Sequence, residues 1–250
     1  MKKRAVLIVF WCIFFVRPIT SPAQDLDLHL YPSSTYADFS RLTGQVIGSG
    51  FYHTAGIHSF PGVDFGVKAM FGFIPKENRT GPLKGANIIR IPMLQADVGL
   101  IHGFEIGGRL FKFKFGEKNA EDVMIASGLL KYNILKGLVF PDITVYSAYS
   151  RLTGINDFSL NICTIGGMIG KSLPLISVYA GGNYNFSRLD VRLVPKPGLY
   201  QSGYKKVISQ DVAHYTAGVS LGLTSFTKVN AEFNMGTMKT ITVGIILSIF

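Results

Sequence analysis

The sequence predicts an all-β fold: a transmembrane antiparallel up-and-down β-barrel of about ten strands, with twelve as the alternative count, preceded by a short N-terminal helix. Three observations carry this. Apolar residues recur at every second position over a series of segments, the period of a strand with two chemically different faces. The opposite faces are rich in Gly, Ser, Asn and Thr, and only 16% of the chain is charged, whereas a soluble barrel would turn Lys, Glu and Asp out to water. The chain is 48% hydrophobic with a mean hydropathy of +0.30, yet its only long apolar run, Ala5 to Val16, falls short of the ~20 residues a spanning helix needs.

That run follows Lys2, Lys3 and Arg4 and precedes Ser21-Pro22-Ala23, the layout of a secretory signal peptide over residues 1–23 with cleavage after Ala23; an uncleaved anchor is the alternative. Cys12 lacks the small flanking residues of a lipoprotein processing site. Without 1–23, which hold four of the 25 basic residues, 21 basic groups face 15 acidic ones. No basic run exceeds Lys205-Lys206 and none is interleaved with aromatics, so no nucleic-acid partner is expected. Cys163 is then the one cysteine, which leaves no intramolecular disulfide.

Residues 24–60 form an N-terminal segment. Tyr36, Phe39, Leu42 and Val46 recur at helical spacing, with Ser34 as N-cap and Gly48 near the C-terminus. This predicts a short amphipathic helix on the periplasmic side, which plugs the lumen, caps the barrel or packs on its rim.

Residues 61–250 form the barrel. Within 62–73, Val63, Phe65, Val67, Ala69, Phe71 and Phe73 share one face, opposite Asp64, Lys68, Met70 and three glycines. The same texture places strands near 62–74, 92–101, 104–115, 123–134, 143–152, 158–170, 175–187, 211–223, 226–236 and 238–250, with 188–210 a long loop, further extended strand or another hairpin. FKFKFG, 111–116, inverts the parity set by Glu105 and Arg109, which suggests a bulge. Breakers between strands include a tight His102-Gly103 turn and a long polar loop at 75–86. An even strand count puts both termini on the short-turn side, and the last strand closes on the first because lipid offers backbone groups no partners.

Two stretches carry a family resemblance. GSGFYHTAGIHSFPGVDFGVKAMFGFIP, 48–75, and IPMLQADVGL, 91–100, resemble the N-terminal signature and second strand of an uncharacterised family of bacterial outer-membrane barrel proteins. The resemblance implies fold and location, with a loose likeness to outer-membrane transporters of hydrophobic compounds, and implies no catalytic residues.

Few constellations suggest chemistry. GGMIGKS, 166–172, lacks the first Gly of a phosphate-binding loop, whose place is Ile165. His214 and Asp211 fall on opposite strand faces, His58 has no acidic neighbour within four residues, and His53 reads as structural. No catalytic, cofactor-binding or metal-ligating residues are therefore assigned, and an envelope hydrolase with groups from distant strands is the minor alternative. Phe73, Phe104, Phe186 and Phe226 fit interface girdles or ordinary lipid-facing packing.

Asp64, Lys68, Gln95, Asp97, Glu105, Arg109, Lys131, Asn183, Lys228, Asn230 and Glu232 are expected to line the lumen. Both charge signs occur, so they can pair across an interior only slightly wider than the filled eight-stranded case, which argues against a general diffusion porin. Two functions follow: passive transport or binding of a small or hydrophobic solute, or a structural and interaction barrel acting through loops 75–86 and 188–210. Expected partners are outer-membrane lipid, the barrel-assembly machinery and a small solute. The terminal TITVGIILSIF resembles an assembly signal, although Phe250 shares parity with Thr240 and Thr242 rather than with the apolar face.

Overall fold

The computed structural model describes residues 28, 31–58, 60–115, 121–137, 140–193 and 204–249. The expected signal peptide and the assembly signal at Phe250 lie outside them. The described residues hold ten strands: β1 (Val63–Phe73), β2 (Ile88–Gly99), β3 (Phe104–Phe115), β4 (Glu121–Leu135), β5 (Asp142–Ile155), β6 (Phe158–Ser172), β7 (Ile176–Leu193), β8 (Tyr204–Gly222), β9 (Thr227–Met235) and β10 (Lys239–Ile249). Each pairs antiparallel with its chain neighbours, and β10 closes on β1 from Val63 opposite Ile249 to Phe73 opposite Lys239. Closure leaves no edge with unpaired backbone groups.

The connections at 100–103, 173–175 and 223–226 share one end with the start of β1 and the end of β10; the opposite end carries the connections at 74–87, 156–157 and 236–238. The His102-Gly103 turn needs two residues in the left-handed region, with φ of 58° and 78°, which Gly103 adopts without a Cβ clash.

The two faces of the wall swap chemistry along the barrel axis. Around the short-turn half, Phe65, Leu94, Ile106, Leu130, Val145, Ile165, Leu221, Phe233 and Val243 are exposed on the outside, and the inside is polar. Phe104 and Phe226 lie at one edge of this belt and Phe73 and Phe186 toward the other, all exposed. Beyond it the outer face turns polar, with Lys112, Arg151, Arg188 and Asp211 exposed, while Val123, Ile125, Leu152, Leu160, Ile162, Leu189 and Val191 are buried inside. The loop-end wall is thus built like a soluble barrel, standing beyond an apolar belt.

This inversion corrects the expected bulge at FKFKFG. The β3–β4 register runs unbroken from Phe104 opposite Tyr132 to Phe115 opposite Glu121. Phe111 packs into the apolar interior while Lys112 pairs with Asp122 outside at 3.0 Å. It also explains why β7 and β8 run past their expected limits into 188–210: their outward residues there, such as Arg188, Arg192 and Lys205, face solvent rather than an apolar medium.

The helix, α1 (Tyr36–Ile47), lies inside the loop-end half, not on the short-turn side where it was expected. Tyr36, Phe39, Leu42, Val46 and Ile47 join one apolar cluster with Leu83 and Met238, which belong to loop-end connections, and Phe39 meets Phe158 edge to face at 5.3 Å. An apolar inner wall is available only there. Thr35, not Ser34, occupies the N-cap position, because a turn at Ser33–Thr35 precedes the helix; the Thr35 hydroxyl donates to the Pro32 carbonyl at 2.8 Å.

The inverted wall makes a position-dependent prediction. Val243→Arg, in the belt, should lower folding stability in lipid vesicles by ~2–4 kcal/mol. Asp211→Arg, on the polar outer wall, should stay within about 0.5 kcal/mol of the native chain in the same urea titration.

Candidate functional site

Past α1 the chain runs as irregular backbone, neither helix nor strand, from Gly48 to His58, through the polar half of the lumen to the start of β1. Such a segment inside a barrel makes no ladder of its own, and each unpaired buried carbonyl or amide is costly. The wall supplies the partners. Arg109 donates from Nη2 to the Ile47 carbonyl at 2.6 Å and from Nη1 to that of Ser49 at 2.7 Å. Lys68 Nζ donates to the carbonyls of Gly50 and Tyr52, both at 2.8 Å. Gln95 reaches the Phe51 carbonyl at 3.2 Å, Thr144 that of Ala55, and Ser220 that of His53. In the other direction Glu232 accepts the Gly50 amide and Glu105 the His58 amide, both at 3.0 Å.

Close approach is part of the fit. Gly50 has φ of 72°, and a Cβ there would meet Thr242 Oγ1 at 2.9 Å and Met70 Sδ at 3.1 Å. Gln45, on α1, pairs with the Met238 backbone at both ends of its amide, at 2.6 and 3.2 Å. Phe51 lies under the Arg109 guanidinium, 3.4 Å from its ring centroid, and Tyr52 stacks edge-on against Tyr146 at 4.5 Å. Burial drives the Tyr52 phenol well above its ordinary pKa, which keeps it neutral.

At the short-turn end three side chains converge. His53 Nε2 and His58 Nε2 each lie 2.6 Å from Asp64 Oδ2, and the two rings stack 5.9 Å apart. Burial pushes the His53 imidazole below its ordinary pKa, and its hydrogen bond to Asp64 acts in the opposite direction. Asp97, opposite Asp64 in the β1–β2 register, has Oδ2 3.9 Å from His53 Nδ1. Lys131 pairs with Glu105 at 2.5 Å and lies 4.0 Å from Asp97.

Of the residues expected on the lumen face, Asp64, Lys68, Gln95, Asp97, Glu105, Arg109, Lys131, Asn183, Asn230 and Glu232 are buried within the barrel, and Lys228 is half-buried near the short-turn rim. Lys131 does pair with Glu105, but the two are direct register partners on the neighbouring strands β3 and β4, so the pair runs along the wall and not across the lumen. Cross-lumen pairing of opposite charges does not hold either for Lys68 and Arg109, whose hydrogen bonds go to carbonyls of the N-terminal segment, because the segment stands between them and the acids. Asn183 instead joins Tyr146 and Thr216, at 3.0 and 2.7 Å. The meeting of His53 and His58 with Asp64 was missed in the sequence, where the nearest useful signal is a carboxylate six residues past His58.

A family described as "Family of unknown function (DUF6588)" matches residues 80–249, a range that takes in the second resembling stretch, 91–100, and not the first, 48–75. No curated protein matches. Among solved structures, the translocator domain of the autotransporter NalP from Neisseria meningitidis is similar at 10% identity, over 87% of this chain and 96% of that one, with a TM-score of 0.41. Ail, the attachment invasion locus protein of Yersinia pestis, is similar at 9% identity over 75% and 98%, with a TM-score of 0.36. OmpT of Vibrio cholerae is similar at 15% identity over 84% and 74%, with a TM-score of 0.33.

Arg109→Met would leave the Ile47 and Ser49 carbonyls buried without donors, at ~1–3 kcal/mol each. The expected outcome is loss of amide-exchange protection and new protease cleavage within 31–58, with the strands still protected. Amide exchange on the detergent-solubilised variant checks it.

Proposed function

The chain belongs to the DUF6588 family of unknown function, and from that premise we propose that it is an outer-membrane β-barrel whose lumen is filled by its own N-terminal segment. In this reading it works as a structural and interaction barrel through its loop-end surface, and it is not an open channel. The observation that carries the reading is the ladder of wall side chains, among them Arg109, Lys68, Gln95 and Glu232, whose hydrogen bonds are spent on the backbone of 47–58. A passage for solutes would leave those groups facing water.

The outward belt supports a membrane setting. On β10 the apolar residues Ile241, Val243, Ile245, Leu247 and Ile249 alternate with buried ones, a length that fits the ~9–11 residues of a tilted spanning strand. The loop-end wall, polar outside, stands clear of such a bilayer. A second reading, gated passage or binding of a small hydrophobic solute, draws on the apolar inner wall around α1, a lining that would suit such a solute once the helix moved.

Conductance in planar bilayers separates open from filled. The full chain should give no sustained current, and a variant lacking 24–58, or the Lys68→Met/Arg109→Met double variant if the deletion does not fold, should conduct. Steady conductance by the full chain with its segment protected from protease would overturn the reading. Uptake of a fluorescent hydrophobic probe by the deletion variant alone would favour gated passage.

A further inference from the structure

The cluster at the short-turn end is not needed to fill the lumen, and its composition is specific. We propose that His53, His58 and Asp64 bind a divalent transition cation of the zinc class, which staples the N-terminal segment to the first strand of the wall. The inference rests on the segment lying in the lumen, as described above.

Ligand chemistry favours this class. Two imidazole nitrogens with one carboxylate suit zinc and its neighbours, whereas calcium and magnesium take oxygen donors. The candidate donor atoms of the three residues all lie within 4.8 Å of one another. Bound donors at ~2.0–2.1 Å from zinc stand about 3.3 Å apart in a tetrahedron, so small ring and carboxylate rotations would exchange the shared hydrogen bonds for coordination. Asp64 Oδ2 stands 2.6 Å from both imidazoles, and Oδ1 of the same carboxylate is buried and makes no hydrogen bond.

The surroundings favour positive charge. Inside the barrel the described residues bury Lys68, Arg109 and Lys131 against Asp64, Asp97, Glu105 and Glu232, with Asp142 close to the rim. Carboxylates therefore outnumber cations by five to three, a difference that one divalent ion balances. Asp97 stands on the Nδ1 side of His53, where an outer carboxylate orients a ligating imidazole, and Glu105 holds the His58 amide. His58, one-tenth exposed, borders a cleft of about 270 Å³ lined also by Ile57, Phe60, Ile101 and His102. The cleft opens at the short-turn end and supplies both an entry path and room for a water as a further ligand.

The test is zinc titration of the tag-free full chain in detergent after chelator dialysis, followed by calorimetry, with cobalt absorption as a second readout. We expect one equivalent of zinc, and a cobalt spectrum of nitrogen and oxygen ligation. Affinity should fall by more than ~100-fold in His58→Gln and Asp64→Asn, beyond the ~10–100-fold expected of outer partners. Heat-modifiable gel migration shows that each variant is folded, and His58→Gln decides the matter if Asp64→Asn is not. No zinc binding by the folded chain, or equal binding by the folded variants, would overturn the proposal. Both results are read independently of conductance, so failure here leaves the filled-lumen reading standing.

Discussion

Everything inside this barrel follows from one constraint: polar backbone groups kept from water must find partners. A helix satisfies its own amides and carbonyls, and an irregular segment does not. The plug obeys this along its length. Where it is helical, over Tyr36–Ile47, the wall around it is apolar; where it is irregular, over 48–58, the wall carries Lys68, Gln95, Arg109, Thr144 and Ser220 as donors and Glu105 and Glu232 as acceptors. The secondary structure of the segment and the chemistry of the lining change together.

The same switch shapes the exterior. In the half where the inner wall is polar, the outer wall is apolar and presents a belt. In the half where the inner wall is apolar, the outer wall bears exposed Arg188 and Lys112. One chain thereby combines a membrane-type half with a soluble-type half. The plug crosses the boundary near Arg109, whose guanidinium reaches Ile47 at the end of the helix and Ser49 in the irregular run. That side chain joins the two halves and covers the Phe51 ring as it does so.

Most of the fold was legible in the sequence because alternation is local. All ten expected strands are present, and β3 matches its expected bounds, 104–115. What misled was the assumption of one lipid-facing parity throughout. At Phe111-Lys112 and at 188–193 the apolar residues turn inward and the charges outward, which reads locally as irregularity or loop. The site was less legible. Lysine and arginine on an inner face can be located by parity, but parity cannot show that their partners are carbonyls of a segment up to some sixty residues away in sequence, as for Arg109 and Ile47. His53, His58 and Asp64 meet because a loop folds back against the first strand, and no fixed spacing marks that.

The central claim is that α1 occupies the lumen against β6 and β7. A Cβ placed on Gly44 would lie 3.1 Å from that of Ser187, so the two need to part by only a few tenths of an ångström to reach the ~3.5–4.5 Å Cβ separation of a disulfide. The most direct measurement is cross-linking of Gly44→Cys with Ser187→Cys in a Cys163→Ser background, in membranes under mild oxidation. The account predicts a near-quantitative intramolecular disulfide that leaves no thiol for alkylation. Two freely alkylated thiols in a folded, heat-modifiable barrel would contradict it.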